Sequence, residues 1–222
     1  MKRLFILVFL LSAAGLAAAL AQTAASPSAP AKTATATFAG GCFWCVEADF
    51  DKVEGVISTT SGYIGGKTPN PTYQQVSAGG TGYAEAVEIV YDPAKVTYEK
   101  LLEVFWRNID PVAKDRQFCD SGDQYRSAIF YHDAEQRRLA DASKQTIESS
   151  GRFKAPIQTQ IVMATKFYPA EDYHQDYAIN HPHQPYIVFN DAPKVENLKK
   201  MFPDLFREQP LTVAQARKAA GG

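Results

Sequence analysis

Cysteine is scarce: the 222-residue chain holds three, Cys42, Cys45 and Cys119. That is too few for a disulfide framework, and in an oxidising compartment an odd number leaves at least one thiol unpaired, which favours cycling chemistry over structural stapling. Charge of one sign is lacking as well. Lys and Arg number 23 against 24 Asp and Glu, a net charge of −1, so no global field recruits nucleic acid or an anionic membrane. Histidine is limited to His132, His174, His181 and His183. With Cys119 these make no compact ligand motif, and His181-Pro182-His183 is too close and too rigid for the usual zinc spacing, so no metal is expected. A haem attachment is excluded because Val46 stands where that motif requires histidine. Internal repeats are absent, and low complexity is confined to the N-terminal region.

That region reads as an address. Met1-Lys2-Arg3 is basic, Leu4 to Leu11 is an unbroken apolar run, and Ala19-Leu20-Ala21 has the small-x-small form of a signal-peptidase site. Residues 1–21 are therefore expected to be a signal peptide cleaved after Ala21, with export, in the periplasmic sense. The competing reading is a membrane anchor, but the stretch is Ala-rich and carries Ser12 and Gly15. Contact with a membrane is expected only through an uncleaved leader. Residues 22–35 are almost entirely Ala, Thr, Ser and Pro, too polar to order themselves, and are expected to form a flexible linker. The expected domain is 36–206, long enough for one core, with a flexible tail at 207–222.

Within that domain, the strand candidates are Thr35–Phe38, Val56–Ile64, Ala84–Tyr91, Ser127–Tyr131 and Ile157–Ala164. Helices are expected at Cys42–Asp51, where Val46, Phe50 and Val53 recur at helical spacing, at Thr97–Ile109, Ala134–Ser149, Tyr168–Tyr177 and Val195–Phe202. Thr72–Ser77 suits one or two helical turns, and Val112–Gln124 reads as a loop. Strands and helices mix without a strict βαβ rhythm. The expected class is α+β, a single domain with a mixed or antiparallel sheet and flanking helices. In the clearest strand, Glu85 falls in line with Val87, Ile89 and Tyr91 on the face expected to be buried. An acid on an apolar stripe needs a reason.

The most informative segment is Gly41-Cys42-Phe43-Trp44-Cys45. Cys42 is expected at or just before a helix N-terminus, where unpaired N–H groups and the helix dipole favour a thiolate. A thiol beside two large aromatic rings could hold a small apolar group, such as a methyl, against them. A thioredoxin-type redox pair is the competing reading of the two cysteines, although Phe43-Trp44 is bulky for it. On the residues alone the functional classes stay open among a thiol-dependent reductase, an exported thiol-disulfide oxidoreductase acting on protein disulfides, and a non-enzymatic binding domain. Tyr73 and Tyr125 stand among eleven tyrosines, Asp120 reads as a turn residue, and His174 as a buried hydrogen-bonding residue.

Several blocks in this order resemble the A-type peptide methionine sulfoxide reductases: Gly40-Gly41-Cys42-Phe43-Trp44, Gly62-Tyr63, Asn70-Pro71-Thr72-Tyr73, Gly82-Tyr83-Ala84-Glu85-Ala86-Val87, Tyr91-Asp92-Pro93, Phe105-Trp106, Asp120, Gln124-Tyr125-Arg126-Ser127 and Ala170-Glu171-Asp172-Tyr173-His174-Gln175. The resemblance implies a ferredoxin-like core and reduction of the S epimer of methionine sulfoxide. It makes Cys42 the nucleophile that takes the oxygen as a sulfenic acid, Glu85 the acid that protonates that oxygen, and Tyr73 and Tyr125 the hydroxyls that hold it. Asp120 becomes a carboxylate at the rim, and Phe43 and Trp44 the pocket for the substrate's methyl group. No bound cofactor is implied. The implied partners are oxidised proteins or peptides carrying methionine sulfoxide and a thioredoxin-like reductant.

This chain departs from the family pattern at three places. Position 83 is Tyr where histidine is common, position 45 is Cys where glycine is frequent, and no cysteine follows Cys119. The resolving thiol is therefore Cys45, one helical turn from Cys42, or Cys119, next to Asp120, or both in a relay.

Overall fold

A computed structural model describes residues 32–220. The expected leader, 1–21, and most of the expected linker lie outside the described residues. Strand β1 spans Ala34–Gly40 and leads through Gly41 into helix α1, Phe43–Phe50. Strand β2, Val56–Ile64, follows, then the single-turn α2, Tyr73–Ser77, which Thr72 caps through a reciprocal capping box with Gln75. Strand β3, Ala84–Tyr91, precedes helix α3, Tyr98–Asn108, whose first turn is capped by the Thr97 hydroxyl. A miniature hairpin, β4 Arg116–Gln117 and β5 Asp120–Ser121, and a 3-10 turn at Asp123–Tyr125 precede β6, Ser127–Tyr131. Helix α4 then spans Ala134–Ser149, followed by β7, Gln160–Met163, and β8, Tyr168–Pro169.

The sheet order is β7-β6-β1-β3-β2-β8, antiparallel throughout except for the parallel β6–β7 pair. Its centre, β6-β1-β3-β2, with α1 between β1 and β2 and α3 between β3 and β6, is the ferredoxin-like arrangement. The α+β class with a mixed sheet and flanking helices is thus observed. Phe38, Val87 and Ile89 join Phe50, Leu101 and Phe105 in the main core. The opposite sheet face carries a smaller cluster of Ala39, Ile64, Ala84, Ala86, Ala128 and Phe130. Alternation along β3 therefore puts Glu85 on the helix-covered side, with Val87, Ile89 and Tyr91.

Three sequence expectations need correction within the domain. Strand β1 begins at Ala34, inside the stretch read as linker, because its first residue already pairs with Tyr91 of β3. The segment 112–124 is not a plain loop but holds the β4–β5 hairpin and the 3-10 turn. The expected helix at Tyr168–Tyr177 is instead β8, a 3-10 turn at Asp172–His174 and the start of α5, Tyr177–Asn180. Gln175 explains that break: its side chain bonds Ser61 N–H and the carbonyls of Ser61 and Ala170, fixing the segment to β2.

The C-terminal part also differs. A π-helical turn at Ile187–Asp191 runs directly into α6, Ala192–Met201. Residues read as the start of a flexible tail are tied down: Arg207 N–H donates to Lys52 O, Leu211 N–H to Asp51 O, and Val213 N–H to the Asp176 carboxylate. Helix α7, Val213–Ala220, follows this docked stretch.

Candidate active site

The site is assembled where β1 hands over to α1. Gly41 makes the turn with φ of +95°, and a Cβ there would sit 2.6 Å from Gln117 Cβ, so only glycine fits. Gln117 is itself fixed, accepting from Asp110 N–H and donating to Asp110 O, both at 2.8 Å. Cys42 occupies the N-cap position of α1, as expected, and is 8% exposed.

Its protonation runs against the sequence expectation. Burial, then the neighbouring Cys45 and Glu85, push the Cys42 thiol well above its ordinary value. The reason is visible at the helix end: the first free amide, Phe43 N–H, donates to Glu85 Oε2 at 3.1 Å and is not spent on sulfur. Cys42 therefore rests as a thiol, and desolvation outweighs the helix dipole.

Glu85, on β3 opposite Tyr63 of β2, is 1% exposed. Burial raises it to about 8, against the lowering effect of the Phe43 N–H. It therefore carries a proton at neutral pH. One cavity of about 190 Å³ is lined by Cys42, Phe43, Trp44, Tyr73, Glu85, Asp120, Tyr125 and Tyr186. Every non-resolving residue singled out in the sequence thus meets in one space.

Each wall has its own support. Glu171 accepts from Tyr73 N–H and from the Tyr63 hydroxyl, both at 2.9 Å, which seats the start of α2 against β2. Burial, then Glu85 and Cys42, push the Tyr73 hydroxyl up to about 12, and the Tyr125 hydroxyl is raised for the same reasons. Both remain hydrogen-bond donors. Tyr125 is held by its neighbours: Arg126 donates to the carbonyls of Gly82, Tyr83 and Asp123, and Gln124 to Ser77 O. Trp44 stacks on Tyr177 at 3.7 Å between centroids with 7° between planes, and its Nε1–H donates to His174 Nδ1 at 3.1 Å. Buried His174 also packs against Phe43 and Tyr73, a structural role. Tyr83 gives its hydroxyl to Thr68 O on the neighbouring loop.

A second cavity, of about 210 Å³, lies beside the first and is lined by Cys42, Cys45 and Cys119 together with Asp120 and Tyr186. Cys45 is buried, while Cys119 is exposed and donates to Asn190 Oδ1 at 3.3 Å. Cys42 and Cys45 line the same cavity, one helical turn apart. The Cys45 thiol also donates to Asp191 Oδ1 and lies 3.9 Å from the Tyr186 hydroxyl. Tyr186 donates to Asp120 Oδ2 at 2.5 Å and meets Trp44 edge-on at 5.9 Å.

Tyr186 and Asp191 were not foreseen from the sequence. Both come from the segment between α5 and α6, which carries no regular period; the signal available was a tyrosine and an acid in a stretch otherwise hard to assign. Among the described residues, no group of three His, Cys, Asp or Glu is arranged to hold a metal ion.

The family model described as peptide methionine sulfoxide reductase matches residues 34–205. The MsrA of Listeria innocua is 56% identical over 142 residues, covering 64% of this chain and 80% of that protein. The MsrA of Methanococcoides burtonii is 57% identical over 142 residues, covering 64% and 93%. Among solved structures, reduced Mxr1 of Saccharomyces cerevisiae aligns with a TM-score of 0.64 at 30% identity, covering 70% of this chain and 90% of that one. Methionine sulfoxide reductase A of Corynebacterium diphtheriae aligns with a TM-score of 0.61 at 34% identity, covering 72% and 80%. With a buried thiol, a protonated acid and an aromatic wall sharing one cavity, and with this agreement over nearly the whole described domain, the chain belongs to the A-type peptide methionine sulfoxide reductases.

Proposed function

We propose that this chain reduces the S epimer of methionine sulfoxide in proteins, through a sulfenic acid on Cys42 that a second cysteine resolves. The observation that carries the reading is the single cavity that sets the Cys42 thiol, the protonated Glu85, two phenolic donors and the Phe43–Trp44 wall around one small space. The substrate's methyl packs on the two rings. Its oxygen lies toward Tyr73, Tyr125 and Glu85, with Asp120 at the rim.

Glu85 gives its proton to the sulfoxide oxygen as Cys42 sulfur attacks, and the thiol proton passes to Glu85 in return. The sulfur–oxygen bond of the substrate breaks and the hydroxyl stays on Cys42. Methionine sulfur is reduced by two electrons and Cys42 oxidised by two, with no net proton change.

Cys45 then attacks the Cys42 sulfenic acid, expelling water and forming a Cys42–Cys45 disulfide. Its burial beside Cys42 supports this order over direct attack by the exposed Cys119. Cys119, on the same cavity, takes over the bond with Cys45 and presents it to solvent. A thioredoxin-like dithiol reduces it there. The leader read in residues 1–21 supports export to the periplasm, where oxidised proteins are the substrates and free methionine sulfoxide a smaller relative of them.

The deciding experiment is product analysis on a peptide carrying both sulfoxide epimers, with a dithiol reductant. Consumption of the S epimer alone is expected. No turnover of that epimer with Cys42 intact overturns the reading and returns attention to a thiol-disulfide oxidoreductase.

A further inference from the structure

We propose that Asp191 is the base that activates Cys45 for its attack on the Cys42 sulfenic acid. This rests on the reading just given, in which Cys45 resolves Cys42.

The carboxyl of Asp191 is 1% exposed, sits at the junction of the π-helical turn with α6, and receives the Cys45 S–H on Oδ1. Its Oδ2 is buried with no hydrogen-bond partner among the described residues. A charge buried this deeply is costly unless it is paired or hydrogen-bonded, and the bond Asp191 has is the one from the Cys45 thiol. The groups facing it come from each neighbouring element: Asp49 and Cys45 of α1, Asp120 of β5, Lys194 of α6, and Tyr186 close to the same thiol.

The electrostatics suit a proton acceptor. Burial raises Asp191 to about 6, while the Cys45 hydrogen bond and Lys194 restrain it. At neutral pH it is ionised, whereas Glu85 on the other side of Cys42, at about 8, is protonated. Two carboxyl groups whose environments push them to opposite sides of neutrality divide the work between a proton donor and a proton acceptor. The resolving step then balances. Asp191 takes the Cys45 proton, the sulfur–sulfur bond forms as the sulfur–oxygen bond of Cys42 breaks, and the hydroxide leaves as water with a proton from Glu85. Solvent exchange restores both acids.

The test is single turnover of a peptide sulfoxide by the full-length protein, with methionine, sulfenic acid and disulfide followed separately. In D191N, whose amide still accepts a hydrogen bond but takes no proton, the first equivalent of methionine is expected at near the normal rate. Disulfide formation should slow by about 10²–10³-fold, the size of a general-base contribution, and the sulfenic acid should accumulate for trapping by a dione reagent. In the parent protein the resolving rate rises with pH through about 6, and D191N should lose that inflection. D191E keeps a carboxylate and should recover part of the rate, which also covers poor folding of D191N. C45S separates the two ideas. If C45S forms the Cys42 disulfide normally, the reading of Cys45 fails; if C45S cannot form it while D191N forms it at the parent rate and pH profile, only the role of Asp191 is overturned.

Discussion

The main-chain N–H of Phe43 donates to Glu85 Oε2 at 3.1 Å, so the acid is seated on the first turn of the helix whose cap residue is the thiol. The Glu85 carboxyl is thereby tied to the helix that Cys42 caps. Removing the proton from Glu85 while keeping its shape isolates the acid's part.

Glu85→Gln is accordingly expected to slow sulfoxide reduction by about 10²–10³-fold while changing alkylation of Cys42 far less. Equal loss in both assays would argue that the substitution disturbs α1 instead. Because burial raises Glu85 to about 8, the proton is present below that value and lost above it. Single-turnover reduction by the parent protein should therefore fall as pH rises through about 8.

Trp44 is held between Tyr177 and His174, which fixes its ring as a flat wall. Trp44→Ala should lower kcat/KM for a peptide sulfoxide by about 10–200-fold, the range for loss of an apolar pocket contact. The effect should lie mainly in KM. Steady-state kinetics with and without a bulkier S-alkyl group on the substrate would show whether the wall reads that group.

Gly41→Ala places a methyl against Gln117 in a conformation with φ of +95°. A cost of about 1–3 kcal/mol is expected for such strain, together with displacement of Cys42. Chemical denaturation measures the first, and the rate of Cys42 alkylation the second.

Helix α1 and its C-cap residue carry three buried acids, Glu47, Asp49 and Asp51. Burial raises Glu47 and Asp49 to about 8 and lifts Asp51 as well. A carboxyl whose folded value lies above its unfolded value of about 4 binds more protons in the folded state, so its contribution to stability is full at low pH and lost as pH rises. Thermal stability should fall between pH 5 and pH 8, a window of about 4 to about 8 in these groups. Asp49→Asn should flatten that slope, and a slope unchanged in this variant would remove Asp49 from the account.

Legibility in the sequence followed regularity. β2, β3, β6 and α4 occupy the stretches expected for them from the sequence, since each is a continuous run bounded by turn residues. Glu85 was readable because strict alternation left it on an apolar stripe. The β4–β5 hairpin was not, because two-residue strands are too short to alternate. Tyr186 and Asp191 reach the site from an irregular stretch and a π-helical turn, whose wider winding shows no amphipathic repeat. The protonation of Cys42 was misjudged because helix position is local, whereas burial is decided by the whole fold.

Cys42, Asp120 and Tyr186 line both cavities, which makes the Cys42 thiol part of a partition between two rooms. On the proposed function, a methionine still in the first room would leave free the second, which the other two thiols line. In the proposed cycle, product departure and electron delivery would then use different openings and could run on separate schedules.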